Sequence, residues 1–451
     1  MHFSIPDTQD IPDKNNSCYT SYNIHINGVF HCTVRYSLLH GFHEQLKKEF
    51  GTANLPPFPP KKLLSLTPVQ VDERRVLLER YIQTISQDLR IAKSDMFNSL
   101  LLSAQQETLQ EEPENVTLDI FLMNGHKILT NIMSTDQTDE VLESIASQID
   151  LPDELVYYFA LFLIKKEGEG ENSIVRRLQG FESPYISLKA SNKNNDYKIV
   201  LRKCFWDSAF DDEILENKVA MNLLYVQAVN DIERQWVLAT KDQLKHLSSL
   251  QQKGSKREYL RVARTLKYYG YLQFLPCVTD YPQPNCRTLI AVGNRELNMR
   301  IQVEVNSIKE GSFKITRMKC WRITTIVNGP LTNGDTNDSH TSKARLELSF
   351  EYLMAKDTLK WITVTSDQAI LISMCLQSMV DELLLKKQGG KFKRATGNLK
   401  NNFHRENSAA SPLNHQGIPS SPTEEKVKRQ TSAQQAIVAN DAFETIGDDD
   451  L

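Results

Sequence analysis

Cysteine is scarce and scattered. The 451 residues hold seven, at Cys18, Cys32, Cys204, Cys277, Cys286, Cys320 and Cys375, with no CxxC pair. An odd, dispersed set is a poor disulfide framework, so reduced thiols in a cytosolic chain are expected, several of them core. Long apolar runs are also missing. The longest, Leu155 to Ile164, falls short of the roughly 20 residues a membrane-spanning helix needs, so membrane contact should be peripheral. The first residues, Met1 to Asp7, lack the basic start and apolar run of a signal peptide. A dominant charge is absent: 53 Lys and Arg face 56 Asp and Glu, net −3. That balance argues against a protein built to coat nucleic acid.

Recognisable reaction chemistry is missing as well. There is no GxxxxGK[ST] phosphate loop, no HExxH and no GxSxG elbow. His40 and His43 sit three apart on a helix, a spacing open to a metal, but no third ligand is placed. Asp211-Asp212-Glu213 reads as a helix start, where acids suit the helix dipole. No catalytic residue, metal site or cofactor is therefore expected, and the chain does not read as an enzyme.

What is present is alternation between strands and helices, with 40% hydrophobic residues and length for roughly three compact units. Tyr22, Ile24 and Ile26 precede Asn27-Gly28, and Phe30, Cys32, Val34 and Tyr36 follow, a hairpin pattern. Leu39, Phe42, Leu46 and Phe50 recur at helical spacing. A proline-rich loop leads to Thr67-Pro68-Val69-Gln70, a capping box with a first-turn proline. Glu111-Glu112-Pro113-Glu114 reads as a linker. A second hairpin turns at Asn124-Gly125, and a helix carries Val141, Ile145 and Ile149. Residues 207–270 read helical, 286–365 return to short strands, and a long helix closes at Ser366 to Lys387. From about Gln388 the composition is too polar to offset chain entropy, which predicts disorder.

One cation set asks for an explanation. Arg74 continues the inward stripe of Leu78, Tyr81 and Ile85, and a guanidinium at a core edge needs a partner. An internal carboxylate would serve. So would a bound anion, because Arg35 ends a strand and Lys61 and Lys62 follow stiffening prolines. Arginine suits phosphate through its bidentate fork, lysine as a point charge. Tyr36 could wall a sugar-like ring or simply pack.

Val34-Arg35-Tyr36-Ser37, then Pro57-Phe58-Pro59-Pro60-Lys61, then Arg74 seven residues before Tyr81 resembles the PX domain. The resemblance implies that Arg35 takes the 3-phosphate of phosphatidylinositol 3-phosphate. Tyr36 then packs on the inositol ring, Lys61 meets the 1-phosphate, Arg74 takes ring hydroxyls and Ser37 lines the pocket. Val34 stands where many relatives carry a second arginine. The ubiquitin-like, helical and β-rich units that follow look like a FERM module. Phrases such as Tyr197 to Lys203, Arg317 to Arg322 and Gln377 to Leu383 resemble the PX-FERM sorting nexins of the 17/31 branch. The middle of the tail departs from sorting nexin 17 and turns the reading toward sorting nexin 31.

The expected architecture is α+β multidomain. A PX domain (1–110) precedes ubiquitin-like (115–206), helical (207–270) and PTB-like (271–388) FERM lobes and a disordered tail (389–451). The implied function is an endosomal cargo adaptor, peripheral on early and recycling endosomes, that steers receptors away from lysosomal degradation. A membrane–cytoskeleton linker or signalling scaffold is the alternative that FERM modules allow. The closing helix is apolar nearly all round, so its extra face is either buried elsewhere or left as a groove. A PTB-like lobe would add a receptor tail of Asn-Pro-x-Tyr or Asn-x-x-Tyr type as a strand beside that helix. Trp321, Leu353, Val380 and Leu384 would line it, although Trp321 as plain core fits equally. The ending Ile446-Gly447-Asp448-Asp449-Asp450-Leu451 is either a solvated end or a short motif. In sorting nexin 17 a similar ending docks the retriever recycling complex.

Overall fold

The structure is a computed structural model, and it describes residues 1–12, 18–62, 64–168, 172–191, 196–304, 307–326, 345–392 and 437–443. The first unit holds strands β1 (Phe3–Ser4), β2 (Thr8–Pro12), β3 (Cys18–Ile26) and β4 (Val29–Arg35). Its helices are α1 (Tyr36–Phe50), α2 (Pro68–Ile85), α3 (Leu89–Ala92) and α4 (Asp95–Leu109). β3 pairs with the other three strands. The β3–β4 turn uses Asn27 and Gly28 at φ 51° and 82°, the backbone an Asn-Gly turn demands. The Thr67–Gln70 capping box is formed, and α2 buries Leu78, Tyr81 and Ile85 as its stripe predicts. They meet Leu39, Phe42 and Leu46 of α1 in one core.

The second unit is a mixed five-stranded sheet, ordered β6-β5-β9-β7-β8, with β5 parallel to β9. These strands are β5 (Asn115–Phe121), β6 (Lys127–Met133), β7 (Phe159–Lys166), β8 (Asn172–Arg177) and β9 (Tyr197–Lys203). Helices α5 (Thr138–Gln148) and α6 (Pro184–Ser191) complete it. The second hairpin forms, but only Gly125 of its Asn-Gly pair takes positive φ. The loop is longer there, closed by Leu122 N donating to His126 O at 2.8 Å. Helices α7 (Ala209–Ile214), α8 (Lys218–Glu233), α9 (Lys241–Gln252) and α10 (Lys256–Ala263) make the third unit. It shares one hydrophobic core with the second, joining Ile120, Val141 and Leu161 to Leu223 and Leu260.

The fourth unit is a large antiparallel sheet, ordered β14-β13-β12-β11-β17-β16-β15-β18, with short β10 on β12. Its strands are β10 (Leu272–Gln273), β11 (Cys277–Thr279), β12 (Cys286–Gly293), β13 (Glu296–Glu304), β14 (Ser307–Lys314), β15 (Met318–Ile326), β16 (Arg345–Ala355) and β17 (Thr358–Thr365). Helix α11 (Ala369–Lys387) follows, and β18 (Val438–Ala439) comes from the tail. The expectation of disorder across 389–451 therefore fails at 437–443. That segment docks through backbone pairing and one asparagine rather than a large apolar surface, so its composition carries little sign of it. All seven cysteines are free thiols, and all except Cys18 are buried.

Helix α11 is covered on several sides. Ile372, Leu376, Met379, Val380 and Leu383 join the sheet core. Ile370 reaches the first unit, lying 3.2 Å from where a Cβ on Gly28 would stand. Glu382 accepts from the backbone amides of Trp206 and Asp207 at 2.7 and 2.6 Å, and Trp206 Nε1 donates to Ser378 Oγ at 3.0 Å. Lys386, in the last turn of the helix, pairs with Asp207 at 2.6 Å. No described helix is long and apolar enough to cross a membrane.

First and second units are joined by buried polar bonds. Gln105 Nε2 donates to Ser187 Oγ, and Gln105 Oε1 accepts from Ser183 N, both at 2.9 Å. Behind them Arg176 and Glu182, 2% and 1% exposed, form a two-pronged pair. Burial pushes the Glu182 carboxyl up, but the Arg176 charge and hydrogen bonds outweigh it and hold it below its ordinary 4.5. Such a group adds stability above pH 4.5 that is lost as pH falls through its lowered value. Glu182→Ala should cost about 3–5 kcal/mol by stranding a buried guanidinium, read by urea unfolding. Glu182→Gln should flatten the acid limb of the stability–pH curve.

Candidate functional site

Two places have binding geometry. The first surrounds the start of α1. Arg35 ends β4, is exposed, and lays its guanidinium carbon 3.2 Å from the Tyr19 ring centroid. Tyr36 opens α1, and its hydroxyl donates to Pro59 O at 2.7 Å, tying the helix to the proline loop. Arg74 rises from the first turns of α2 to lie 4.3 Å over the Tyr36 ring. Its charge also lies close enough to act on the Tyr22 phenol. Burial pushes the Tyr22 and Tyr36 phenols up, and the Arg74 charge opposes that shift in both.

Among the described residues Arg74 makes no ion pair, so the internal carboxylate allowed by the sequence is not there. One of its terminal nitrogens is buried with no acceptor, leaving a donor for a ligand. Ser37 is exposed beside Tyr36, and Lys61 and Lys62 are exposed beyond Pro59. Arg74 and Tyr36 are thus brought together, Arg35 precedes Tyr36 with its guanidinium on Tyr19, and Lys61 follows on the loop that Tyr36 anchors. Phe58, stacked on His43 at 4.8 Å and edge-on to Tyr81 at 4.8 Å, wedges that loop against α1 and α2. His43 donates to or accepts from the Tyr81 hydroxyl at 2.7 Å. Among the described residues no His, Cys, Asp or Glu group is arranged to hold a metal.

The second place is the outer edge of β15. Tail residues 438 and 439 run antiparallel to it, pairing Val438 with Trp321 and Ala439 with Cys320. Asn440 then anchors the chain. Its amide Nδ2 donates to Ile315 O at 2.8 Å and Met318 O at 2.6 Å, and its backbone N–H donates to Lys319 O at 3.2 Å. Its Oδ1 accepts from Ala442 N at 2.9 Å, and Phe443 N donates to Asn440 O at 3.1 Å, closing a turn. Ala442 is buried in the core cluster that α11 and the sheet share. Asn440-Asp441-Ala442-Phe443 is therefore an Asn-x-x-aromatic turn following a strand, held on the edge by its own chain.

The residues expected to line this edge are placed deeper than expected. With the tail segment in place Trp321 is fully buried, and its Nε1 donates to Ser373 Oγ on α11 at 3.0 Å. It offers a backbone edge, and its indole joins sheet to helix. Val380 is 1% and Leu353 6% exposed, and Leu384 packs partly buried on the same cluster. Sequence reasoning missed the groups that contact the segment, the carbonyls of Ile315, Met318 and Lys319, because a carbonyl has no residue signature. It also missed Asn440, although an Asn followed three residues later by Phe443 was a legible signal. Ile446, Gly447, Asp448, Asp449, Asp450 and Leu451 lie outside the described residues.

These modules are matched by known families. Residues 22–104 match the PX domain, 116–206 the F1 lobe of the sorting nexin 17/27/31 FERM domain, 207–267 the F2 lobe of the sorting nexin 17/31 FERM domain, and 270–384 the sorting nexin 17 FERM C-terminal domain. The chain is thus a PX–FERM adaptor, built from modules that bind phosphoinositides and proteins and carry no catalytic chemistry. It is 49% identical to sorting nexin-17 of Danio rerio and 48% to that of Homo sapiens, each over all of both chains. Against sorting nexin-31 of Mus musculus it is 38% identical, over 86% of this chain and 87% of that one. It belongs to the sorting nexins, in the 17/31 branch, and is an endosomal sorting adaptor. The turn toward sorting nexin 31 is corrected by these identities, which favour sorting nexin-17. It rested on the polar middle of the tail, where composition puts few packing constraints on sequence.

Asn440→Ala removes three side-chain hydrogen bonds of about 1 kcal/mol each. Deuterium uptake over 437–443 should rise on the order of 100-fold on that basis, with α11 unchanged. Unchanged uptake would remove Asn440 as the anchor.

Proposed function

We propose that this chain recycles membrane receptors by holding phosphatidylinositol 3-phosphate and a receptor tail at once. The first unit takes the headgroup with Arg35, Tyr36, Ser37, Lys61 and Arg74. The edge of β15, backed by Trp321, Leu353, Val380 and Leu384, takes cytoplasmic tails of Asn-Pro-x-Tyr or Asn-x-x-Tyr type. The adaptor then sits peripherally on early and recycling endosomes and draws cargo away from lysosomal degradation. Its final residues, Ile446 to Leu451, reach the retriever recycling complex, a reading carried by their likeness to the sorting nexin 17 ending. The folding units we assign are 1–110, 115–206, 207–270 and 271–388, followed by the tail from 389.

The observation that carries the cargo reading is the chain's own Asn440–Phe443 turn. It uses the features a receptor tail of that class would use: strand addition, an asparagine on sheet carbonyls, and a turn ending in an aromatic. A tail bound there and the residues 437–443 compete for the same carbonyls. The lipid reading is supported by two arginines held on tyrosine faces, one with an unused buried donor.

Calorimetry with an Asn-Pro-x-Tyr peptide should give weak binding to the full chain and tighter binding to Asn440→Ala, since the competitor is loosened. A panel of such peptides giving no heat with either protein would end the cargo reading. Vesicles containing phosphatidylinositol 3-phosphate should pellet the chain, and Arg35→Gln should abolish that with an unchanged melting curve. Equal pelleting of the two proteins would end the headgroup assignment.

A further inference from the structure

We propose that a cavity beside α11 is a binding site for a single-chain lipid anion, with the acyl chain lying along the helix and the head at Arg177. The site is separate from the headgroup motif and from the edge of β15.

The cavity measures about 400 Å3 and lies where the first three units and the β10 end of the fourth face the closing helix. On α11 it touches Leu371, Met374, Cys375, Ser378 and Asp381, which recur at helical spacing and form one stripe. At the helical rise that stripe is about 15 Å long. Phe162, Phe181, Cys204 and Trp206 make much of the facing wall, and Leu89 of α3 stands at the rim. Protein interiors rarely keep a void of this size, because atoms lining it forgo dispersion contacts. Several hundred Å3, apolar walls and a few polar groups are the usual form of a small-molecule site.

The walls select the class of ligand. A peptide would bring N–H and C=O groups that apolar walls leave unpaired. An acyl chain has none, and each methylene it hides from water adds to binding. The length of the stripe suits an extended chain parallel to the helix. Charge then places the head. Arg176, Arg202 and Lys203 of the lining are committed to Glu182, Asp231 and Asp211. Lys93 lies near the Asp381 carboxyl. Arg177 is exposed and makes no ion pair among the described residues. Its charge acts on the Cys204 thiol of the cavity wall. A carboxylate or phosphate at the mouth would meet this guanidinium through its bidentate fork.

The test is calorimetry on the full chain with laurate and with dodecyl phosphate, each below its micelle-forming concentration. Saturable binding is expected. Laurate binding alone would point to a free fatty acid, dodecyl phosphate alone to a lysophosphatide, and either supports the site. No saturable heat with either would overturn it. Arg177→Gln should weaken binding about two- to fivefold, the range of one exposed ion pair, and unchanged binding would overturn the placement of the head. Met374→Trp fills the middle of the stripe and should abolish binding, whereas binding equal to wild type would overturn the cavity as the site. Should Met374→Trp melt early, photo-crosslinking of wild type with a diazirine-bearing fatty acid decides the matter. Adducts on residues 371–381 and 204–206 support the site, and adducts confined to other segments overturn it.

Discussion

Helix α11 has nineteen residues and almost no polar face, and the rest of the assembly answers that constraint. A helix lying on one sheet needs one apolar stripe and can leave the remainder in water. Here Ile370, Leu371 and Cys375 are buried as well as Met379, Val380 and Leu383. Cover comes from the sheet of the fourth unit, from the Asn27-Gly28 turn of the first unit and from the Trp206–Asp207 link between the second and third. Of its polar side chains, Glu382 accepts from two backbone amides and Ser378 from Trp206. Burial pushes the Glu382 carboxyl up, and the two amides it accepts from oppose the shift. A glycine at 28 is required twice, by its positive φ and by the 3.2 Å approach of Ile370. Any side chain there would strain the turn and press the first unit away from the helix.

A sheet edge poses the complementary constraint. Backbone groups left unpaired at the edge of a buried sheet carry a free-energy cost and invite another strand. β15 answers with the chain's own residues 437–443, which bring a strand and an asparagine but little apolar area. That balance suits an exchangeable occupant. Hydrogen bonds to carbonyls are individually worth about 1 kcal/mol net, so under the proposed cargo reading a peptide with the same asparagine and a better-filled aromatic position would replace the segment. A large apolar plug would bind too well to yield.

The sequence was informative wherever local chemistry decides structure. The Asn27-Gly28 hairpin, the Thr67–Gln70 box and the α2 stripe were legible because turn and cap geometry depend on a few neighbouring residues. Arg74 was legible as an oddity, a cation in an inward stripe, and the family motif tied it to Arg35, Tyr36 and Lys61. Three things were not legible. The all-round apolarity of α11 left burial and groove open, since only tertiary placement says which neighbour covers which side. Trp321 was left open between pocket wall and plain core, and its indole bonds Ser373 inside the core. The docking of 437–443 was hidden because a strand of two residues has no periodicity to read.

The shared helix also explains how distant parts of the chain are brought to one place. Asp381 lies on α11, where burial pushes its carboxyl up. Lys93 of the first unit draws it down, and Asp441 of the docked segment pushes it up again. One carboxyl thus senses both a charge from the lipid-binding unit and the occupant of the peptide edge. Gln377 steadies it with a 2.9 Å hydrogen bond from the preceding turn of the helix. The Asn27-Gly28 turn of the first unit and the sheet that carries the docked segment thus both pack on α11, and the Asp441 charge opposes ionisation of Asp381. The asparagine anchor and this charge sit on adjacent residues of the same turn, Asn440 and Asp441.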